Sequence, residues 1–386
     1  MTLLLCRLAL IADAAAAPPL PRLRDMAPPS MHIGSAMHWD NVQAGAAHPN
    51  ASIYAALQSS QFSMSQDKNC MNWAFVEYAT RGVWRWAPAD SFVAWCANHT
   101  TLVRGHGLAW GAHLPSWLLE LNKSKSGADA AIARGLNESI TAIVSRYRGR
   151  VYAWHAVLEP FGDPHWKQPI WKPNLLLEAL STAAHPERYV EQVFALARAA
   201  DPHAKLCVLD YKIAIGMYTD SKTGEAVWDH SKANAVYDIL RGWKMDQKSS
   251  LALDLDCICM ESHLQPHTAA NRTVYTWLRT NFDRYAAIGV EVHINAFTIS
   301  IESFPSQWTQ GEKFNAQGTW YAVFLSACID SPACIDFESY GLTDKWDMGS
   351  PETSIFSLPF DVDYQPKPAF WAMVGVLNGS HPRPAK

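Results

Sequence analysis

Val103-Arg104-Gly105-His106-Gly107-Leu108-Ala109-Trp110 is a β-rich apolar run that gives way to an aromatic loop, Leu114-Pro115-Ser116-Trp117-Leu118. One such strand fits many folds, and its recurrence decides between them. Comparable runs start near Ile33, Phe62, Val151, Leu206, Cys257, Val290 and Ile335, which makes eight, each followed by an interval long enough for one helix and its loops. The intervals carry helix signals of their own. Pro186-Glu187-Arg188 opens one helix, with Val190, Val193, Phe194 and Leu196 on a single face, and Asp201-Pro202 closes it; Ser231 begins another that runs through Leu240. Strand alternating with helix predicts a parallel sheet. Eight units without a Gly-x-Gly-x-x-Gly or phosphate-binding loop favour an α/β fold of the closed type, a single (β/α)8 TIM barrel, over a doubly wound sheet. The barrel is expected over residues 30–380, after the Pro-rich linker Pro18 to Pro29, with no second domain and no internal repeat.

At 386 residues, 49% of them hydrophobic, the chain can bury one large core. Its net charge of −4 comes without long basic runs, so neither nucleic acid nor an anionic membrane is expected as a partner. Seventeen tryptophans and thirteen tyrosines suit carbohydrate better, because flat aromatic faces stack on the apolar faces of sugar rings, although most of them belong in a core. The first 17 residues join a short apolar run to small residues suited to cleavage and read as a secretory leader. Arg7 and Asp13 interrupt that run and no positive charge precedes it, which leaves an extended N-terminus as the other reading. Sequons at Asn50, Asn98, Asn122, Asn137, Asn271 and Asn378 favour secretion. Eight cysteines do not make a disulfide scaffold. Cys257 and Cys259 share one face of a strand and are expected as core thiols, whereas Cys328 and Cys334 are placed to close a small loop by a disulfide. No metal or cofactor is expected.

Barrels of this type keep their chemistry at the C-terminal ends of the strands. That is where this chain gathers polar and aromatic groups: His106, Glu159, Asp210-Tyr211, Glu261-Ser262-His263, Asn295 and Tyr340 each follow an apolar run. Any one of them also suits a structural role.

Several of these segments resemble the signatures of glycoside hydrolase family 10, whose members are mostly endo-1,4-β-xylanases. The resemblance runs from Gly34-Ser35-Ala36 to Gln365-Pro366-Lys367-Pro368-Ala369-Phe370, and Val103 to Trp110 with its loop is the most specific part. Asn69 to Trp73, with Glu77 and Asp90, is similar to the family's second-strand motif, and Tyr340-Gly341-Leu342-Thr343-Asp344 to its eighth. By the same resemblance, Val151 to Pro160 ends where the family has an Asn-Glu pair, so Glu159 falls on the acid/base. Such a residue needs a carboxyl that holds its proton near neutral pH. Asn69, His106, Trp110, Asp210, Tyr211, His263 and Tyr340 fall on substrate-binding positions.

The resemblance breaks at the reacting centre. In Val290-Glu291-Val292-His293-Ile294-Asn295-Ala296-Phe297-Thr298-Ile299 the family pattern ends Thr-Glu-x-Asp, so Ala296 stands at the nucleophile and Thr298 at the aspartate. A retaining hydrolase needs that carboxylate roughly 5 Å from its partner, and alanine cannot form the glycosyl-enzyme bond. Glu291 lies five residues upstream, ~16 Å down the strand, and Glu302 six residues beyond. Leu158 replaces the asparagine that holds the sugar 2-hydroxyl, Asn72 the second-strand lysine, Cys70 a glutamate, and Gly111 the histidine after Trp110. Glu261 replaces a glutamine and adds a carboxylate, a candidate base for an inverting mechanism. Three readings remain open: a xylan hydrolase with an altered mechanism, a monomeric secreted pseudoenzyme that binds β-1,4-linked polysaccharide such as xylan, or a scaffold without sugar affinity. Xylan binding separates the third from the others, and release of reducing ends separates the first two.

Overall fold

The computed structural model describes residues 19–43, 50–121, 127–163, 170–219, 226–249, 251–346 and 356–381. The proposed leader and the sequon at Asn122 lie outside them. Eight parallel strands close into a barrel: β1 (His32–Met37), β2 (Met64–Asp67), β3 (Leu102–Trp110), β4 (Ala153–Leu158), β5 (Lys205–Tyr211), β6 (Cys257–Leu264), β7 (Glu291–Ile299) and β8 (Cys334–Ser339). Each pairs with its sequence neighbours, and β8 closes on β1 with Ile33 level with Phe337. Every strand starts within two residues of its place in the sequence reading. The helices follow the same signals, Arg188–Ala200 for the first marked and Ser231–Met245 for the second. Between β5 and the latter, Met217–Thr219 and Ala226–Trp228 form a short antiparallel pair outside the barrel.

Two features of the interior bear on the site. Glycines in β3 let β4 approach closely: a Cβ at Gly105 would stand 2.2 Å from the ring of Trp154, and one at Gly107 2.5 Å from Leu158 Cδ1. Lower in the barrel, the fully buried Arg104 pairs with Asp336 at 2.8 Å and with Glu338 at 3.0 Å, and His293 lies 2.9 Å from Asp336. These partners answer the desolvation of the guanidinium. Burial opposes a charge on His293, but Asp336, with Cys259 and Glu291, raises it to about 10.

The expected Cys328–Cys334 disulfide is present. Cys257 corrects the reading of two core thiols, because it is bonded to Cys207, its register partner on β5, with Cα atoms 4.5 Å apart. Adjacent parallel strands brought the two sulfurs together, a pairing that spacing along the chain does not reveal. Cys259 remains a buried thiol.

Candidate functional site

At the C-terminal mouth, a cavity of about 250 Å³ is lined by His106, Trp110, Leu158, Glu159, Leu209, Glu261, His263, Asn295, Ala296 and Tyr340. Nine of the residues singled out in the sequence therefore line a single space: Glu159, Ala296, Glu261, His106, Trp110, Leu158, His263, Asn295 and Tyr340. Asn69 lines a neighbouring pocket with Asp40, Cys70, Phe75, Arg85 and Pro88. Asp210 is fully buried behind the wall.

Glu159 and Ala296 share an uncommon backbone. Glu159 follows β4 with φ 47° and Ala296 interrupts β7 with φ 56°, left-handed values that cost a residue with a Cβ about 1–3 kcal/mol and persist where the surroundings impose them. The Glu159 amide donates to the Leu209 carbonyl at 2.7 Å. Asp210 fixes the next residues by accepting from the Phe161 amide at 3.0 Å, while Lys232 pairs with it at 2.6 Å. Burial raises the Asp210 carboxyl to about 6 despite Lys232. Tyr211, one residue on, lies with its ring 3.2 Å from Lys232 Nζ and 5.0 Å from Lys172 Nζ.

Lys172 was not singled out in the sequence. Its Nζ donates to Oε2 of Glu159 at 2.7 Å, and its backbone amide donates to Pro160 O, so the loop after β4 folds back onto the strand end it left. No spacing rule marks a lysine thirteen residues beyond a glutamate. Lys68 was missed for the same reason; its Nζ stands 4.2 Å over the Tyr340 ring.

Glu261 is the second carboxyl of the cavity. Its strand places it level with Asn295, one residue before Ala296, and its Oε1 lies 3.4 Å from His263 Nε2. Burial, then the neighbouring Glu159 and Asp210, push it up to about 8, so it holds its proton at neutral pH and becomes a base only above that. His263 donates to or accepts from Thr298 Oγ1 at 2.9 Å, and burial followed by Lys68 lowers it to about 4. His106 is likewise lowered to about 4, by burial before the charges of His113 and Arg104, and contacts His155 Nδ1 at 2.9 Å. Both imidazoles are therefore neutral at pH 7. Trp110 Nε1 and Asn295 Oδ1, a donor and an acceptor on two residues that line the cavity, are buried without a hydrogen-bond partner among the described residues.

The replaced positions have structural reasons. Asn72 caps a short helix by accepting from the Ala74 amide at 2.9 Å. A side chain at Gly111 would meet Asn174, whose Cβ stands 2.6 Å from where its own Cβ would be. Glu291 sits at the opposite end of β7, paired with Lys205 at 2.6 Å, and so cannot replace the carboxylate missing at 296. Among the described residues, Cys207, Cys259 and His293 converge in the core. Cys207 is already in a disulfide and Arg104 lies 3.6 Å from Cys259 and 3.0 Å from His293, a cation where a metal would have to sit.

Comparison with known proteins places this geometry. The model of glycosyl hydrolase family 10 matches residues 23–376. Endo-1,4-beta-xylanase B of Thermotoga neapolitana is 26% identical over 328 residues, 84% of this chain and 83% of that protein. Endo-1,4-beta-xylanase C of Phanerodontia chrysosporium is 28% identical over 323 residues, 82% of this chain and 70% of that one. Among solved structures, xylanase 10B from Thermotoga petrophila RKU-1 in complex with xylobiose superposes with a TM-score of 0.77 at 23% identity, covering 94% of this chain and 99% of that one. Xylanase 10B from Thermotoga maritima gives 0.76 at 24% identity, covering 93% and 98%.

Proposed function

The chain belongs to glycosyl hydrolase family 10, and from that premise we propose that its residue 30–380 barrel binds β-1,4-linked xylan-type polysaccharide at the mouth while lacking the retaining hydrolysis of its relatives. One observation carries the reading: Ala296 borders a cavity that still gathers Glu159, His106, Trp110, His263 and Tyr340. Sugar recognition draws on the aromatic faces and on the unpaired Trp110 Nε1 and Asn295 Oδ1, which need polar partners to offset their burial. Retaining hydrolysis needs a carboxylate on the far side of the anomeric carbon, and a methyl group cannot attack. Leu158 further replaces a polar contact to the sugar with an apolar wall packed on Gly107.

The protein is read as a secreted monomer. Two disulfides suit an oxidising compartment, and the sequons at Asn50, Asn98, Asn137, Asn271 and Asn378 suit the secretory route. The test pairs two measurements on the full chain: calorimetric binding of xylohexaose and release of reducing ends from soluble xylan. Binding without release is expected. Release with retained anomeric configuration would sink the proposal, and so would the absence of any binding.

A further inference from the structure

With the mouth taken as a β-1,4-xylan site, the reading on which this inference rests, two lysines beside it have no part in holding a neutral sugar. Lys172, from the loop after β4, and Lys212, the residue that follows β5, stand with their Nζ atoms 5.0 and 5.8 Å from the centre of the Tyr211 ring. That ring is half-buried, so part of it meets solvent. Lys172 Nζ also reaches Oε2 of Glu159 at 2.7 Å, and Glu159 lines the cavity, which puts the arrangement at the cavity's edge. Because β4 and β5 are paired in register, the loops that carry the two lysines leave the barrel side by side.

Each lysine has a carboxylate partner, and both pairs are turned the same way. Lys212 donates to Asp163 Oδ2 at 2.9 Å, with 26% of the lysine side chain accessible against 1% of the aspartate. Lys172 is likewise more accessible than Glu159. The carboxylates lie beneath and the ammonium groups above. Asp163 is further answered by the buried Lys232, 3.5 Å away, which pairs with Asp210 at 2.6 Å. A group arriving from solvent therefore meets positive charge before negative. An ammonium carries three N–H donors, so pairing with one carboxylate does not exhaust it. Lys212 is also held in place, since its backbone keeps φ 58°, a left-handed value that persists where the surroundings impose it. Glu261 holds its proton at neutral pH and so adds no opposing charge to the cavity.

We infer that Tyr211, Lys172 and Lys212 select xylan chains that carry an anionic substituent, a carboxylate or a sulfate ester, over neutral ones. The ring gives a sugar an apolar face, and the lysines give its negative group charge-assisted hydrogen bonds. Selection is a difference of affinities, and a neutral chain of the same shape forgoes those bonds while still taking the ammonium groups out of water.

The experiment is calorimetry on the full chain at pH 7 with xylotetraose, xylotetraose bearing a glucuronic acid, the methyl ester of that compound, and xylotetraose bearing a sulfate ester. An anionic ligand is expected to bind about tenfold more tightly than xylotetraose, and the arm that does so identifies the anion. The methyl ester should match the neutral chain, and the preference should shrink as salt is raised from about 0.02 to about 0.5 M, since the lysines are part-exposed. Lys212→Met is expected to lose most of the preference, and Lys212→Arg, which keeps the charge, to retain it. Equal affinities for charged and neutral chains overturn the selection and leave the xylan-binding reading intact. So does a preferred acid whose methyl ester is preferred equally, or a preference that survives Lys212→Met undiminished. Absence of binding by all four ligands overturns both readings together.

Discussion

Lys172 Nζ lies 2.7 Å from Oε2 of Glu159, so the carboxylate that ends β4 is held by a cation from its own following loop. The pair is part-exposed, with 34% of the lysine and 16% of the glutamate side chain accessible. Pairs of that kind contribute about 0–1 kcal/mol to folding, because solvent screens the attraction and two long side chains must be ordered. Lys172→Met is therefore expected to shift stability by less than about 1 kcal/mol in urea titration. It should nonetheless weaken xylohexaose binding by about tenfold, since the cation that holds the Glu159 carboxyl in place on the cavity wall is gone. A large stability loss, or an unchanged xylohexaose affinity, would show that Lys172 serves the fold and not the site.

Glu261 gives the fold a dependence on pH whose sign is fixed. The folded state raises its carboxyl from 4.5 to about 8, chiefly by burial, so the folded chain binds that proton more tightly than the unfolded one. Its contribution is fully present below pH 4.5 and is lost as pH rises towards 8. Glu261→Gln cannot lose a proton. The variant is expected to be more stable than the parent at pH 9 by at least about 1 kcal/mol, with the difference shrinking towards pH 5. Denaturant titrations of both proteins at the two pH values check this, and parallel pH profiles would refute the assigned cause.

Much of this arrangement was legible in the sequence, and what was not had a physical reason. The strands were visible because eight apolar runs recur with helix signals between them, and Glu159, Ala296 and Glu261 were placed because each ends or follows such a run. Lys172 and Lys68 were not. They enter the site through a loop that folds back and through a side chain leaning across a ring, and neither is encoded as a local pattern. Asn69, expected to bind substrate, lies two residues beyond the end of β2 and lines a second pocket. The Cys207–Cys257 bond escaped because fifty residues separate partners that only strand register brings level.

Arg104 tests how much the barrel interior depends on its charges. Its guanidinium is fully buried with Asp336 and Glu338, and Asn295 Nδ2 donates to the same Glu338 oxygen at 2.7 Å. Removing one partner of a buried ion pair leaves the others uncompensated, at a cost of about 3–5 kcal/mol. Arg104→Met should lose stability on that scale in denaturant titration. Because Asn295 reaches the cavity through this network, xylohexaose affinity should fall as well. A loss below about 1 kcal/mol would mean that the carboxyls simply take up protons when the guanidinium is removed.

Neutral imidazoles set the acid limit of recognition. His263 and His106 are both lowered to about 4, first by burial and then by nearby cations, so neither changes charge between pH 5 and 7. Xylohexaose affinity should be flat across that interval and should drop as pH falls through 4, where a positive charge appears on rings that line the cavity. Calorimetry across the range reads this directly. An inflection near the ordinary histidine value of 6.5 would place these rings in solvent instead.

Restoring the missing carboxylate asks whether Ala296 alone separates this site from a retaining one. The backbone at 296 keeps its left-handed turn, φ 56°, so a new side chain there would project from the same strained point that borders the cavity. Ala296→Glu is expected to gain hydrolysis of aryl β-xylobioside by at least about 100-fold over the parent, a modest share of what losing a covalent nucleophile costs elsewhere. The first product should be the β anomer by NMR, the signature of two displacements. Leu158 limits the gain, since its apolar side chain packs on Gly107 where a polar group would grip the 2-hydroxyl, a contact that strengthens in the transition state. Ala296→Glu with Leu158→Asn should therefore exceed the single variant, through kcat more than through KM. If neither variant hydrolyses the xylobioside while both bind xylohexaose and melt as the parent does, then Glu159 in the grip of Lys172 is no longer an effective acid, and the site has departed from hydrolysis on both faces of the sugar.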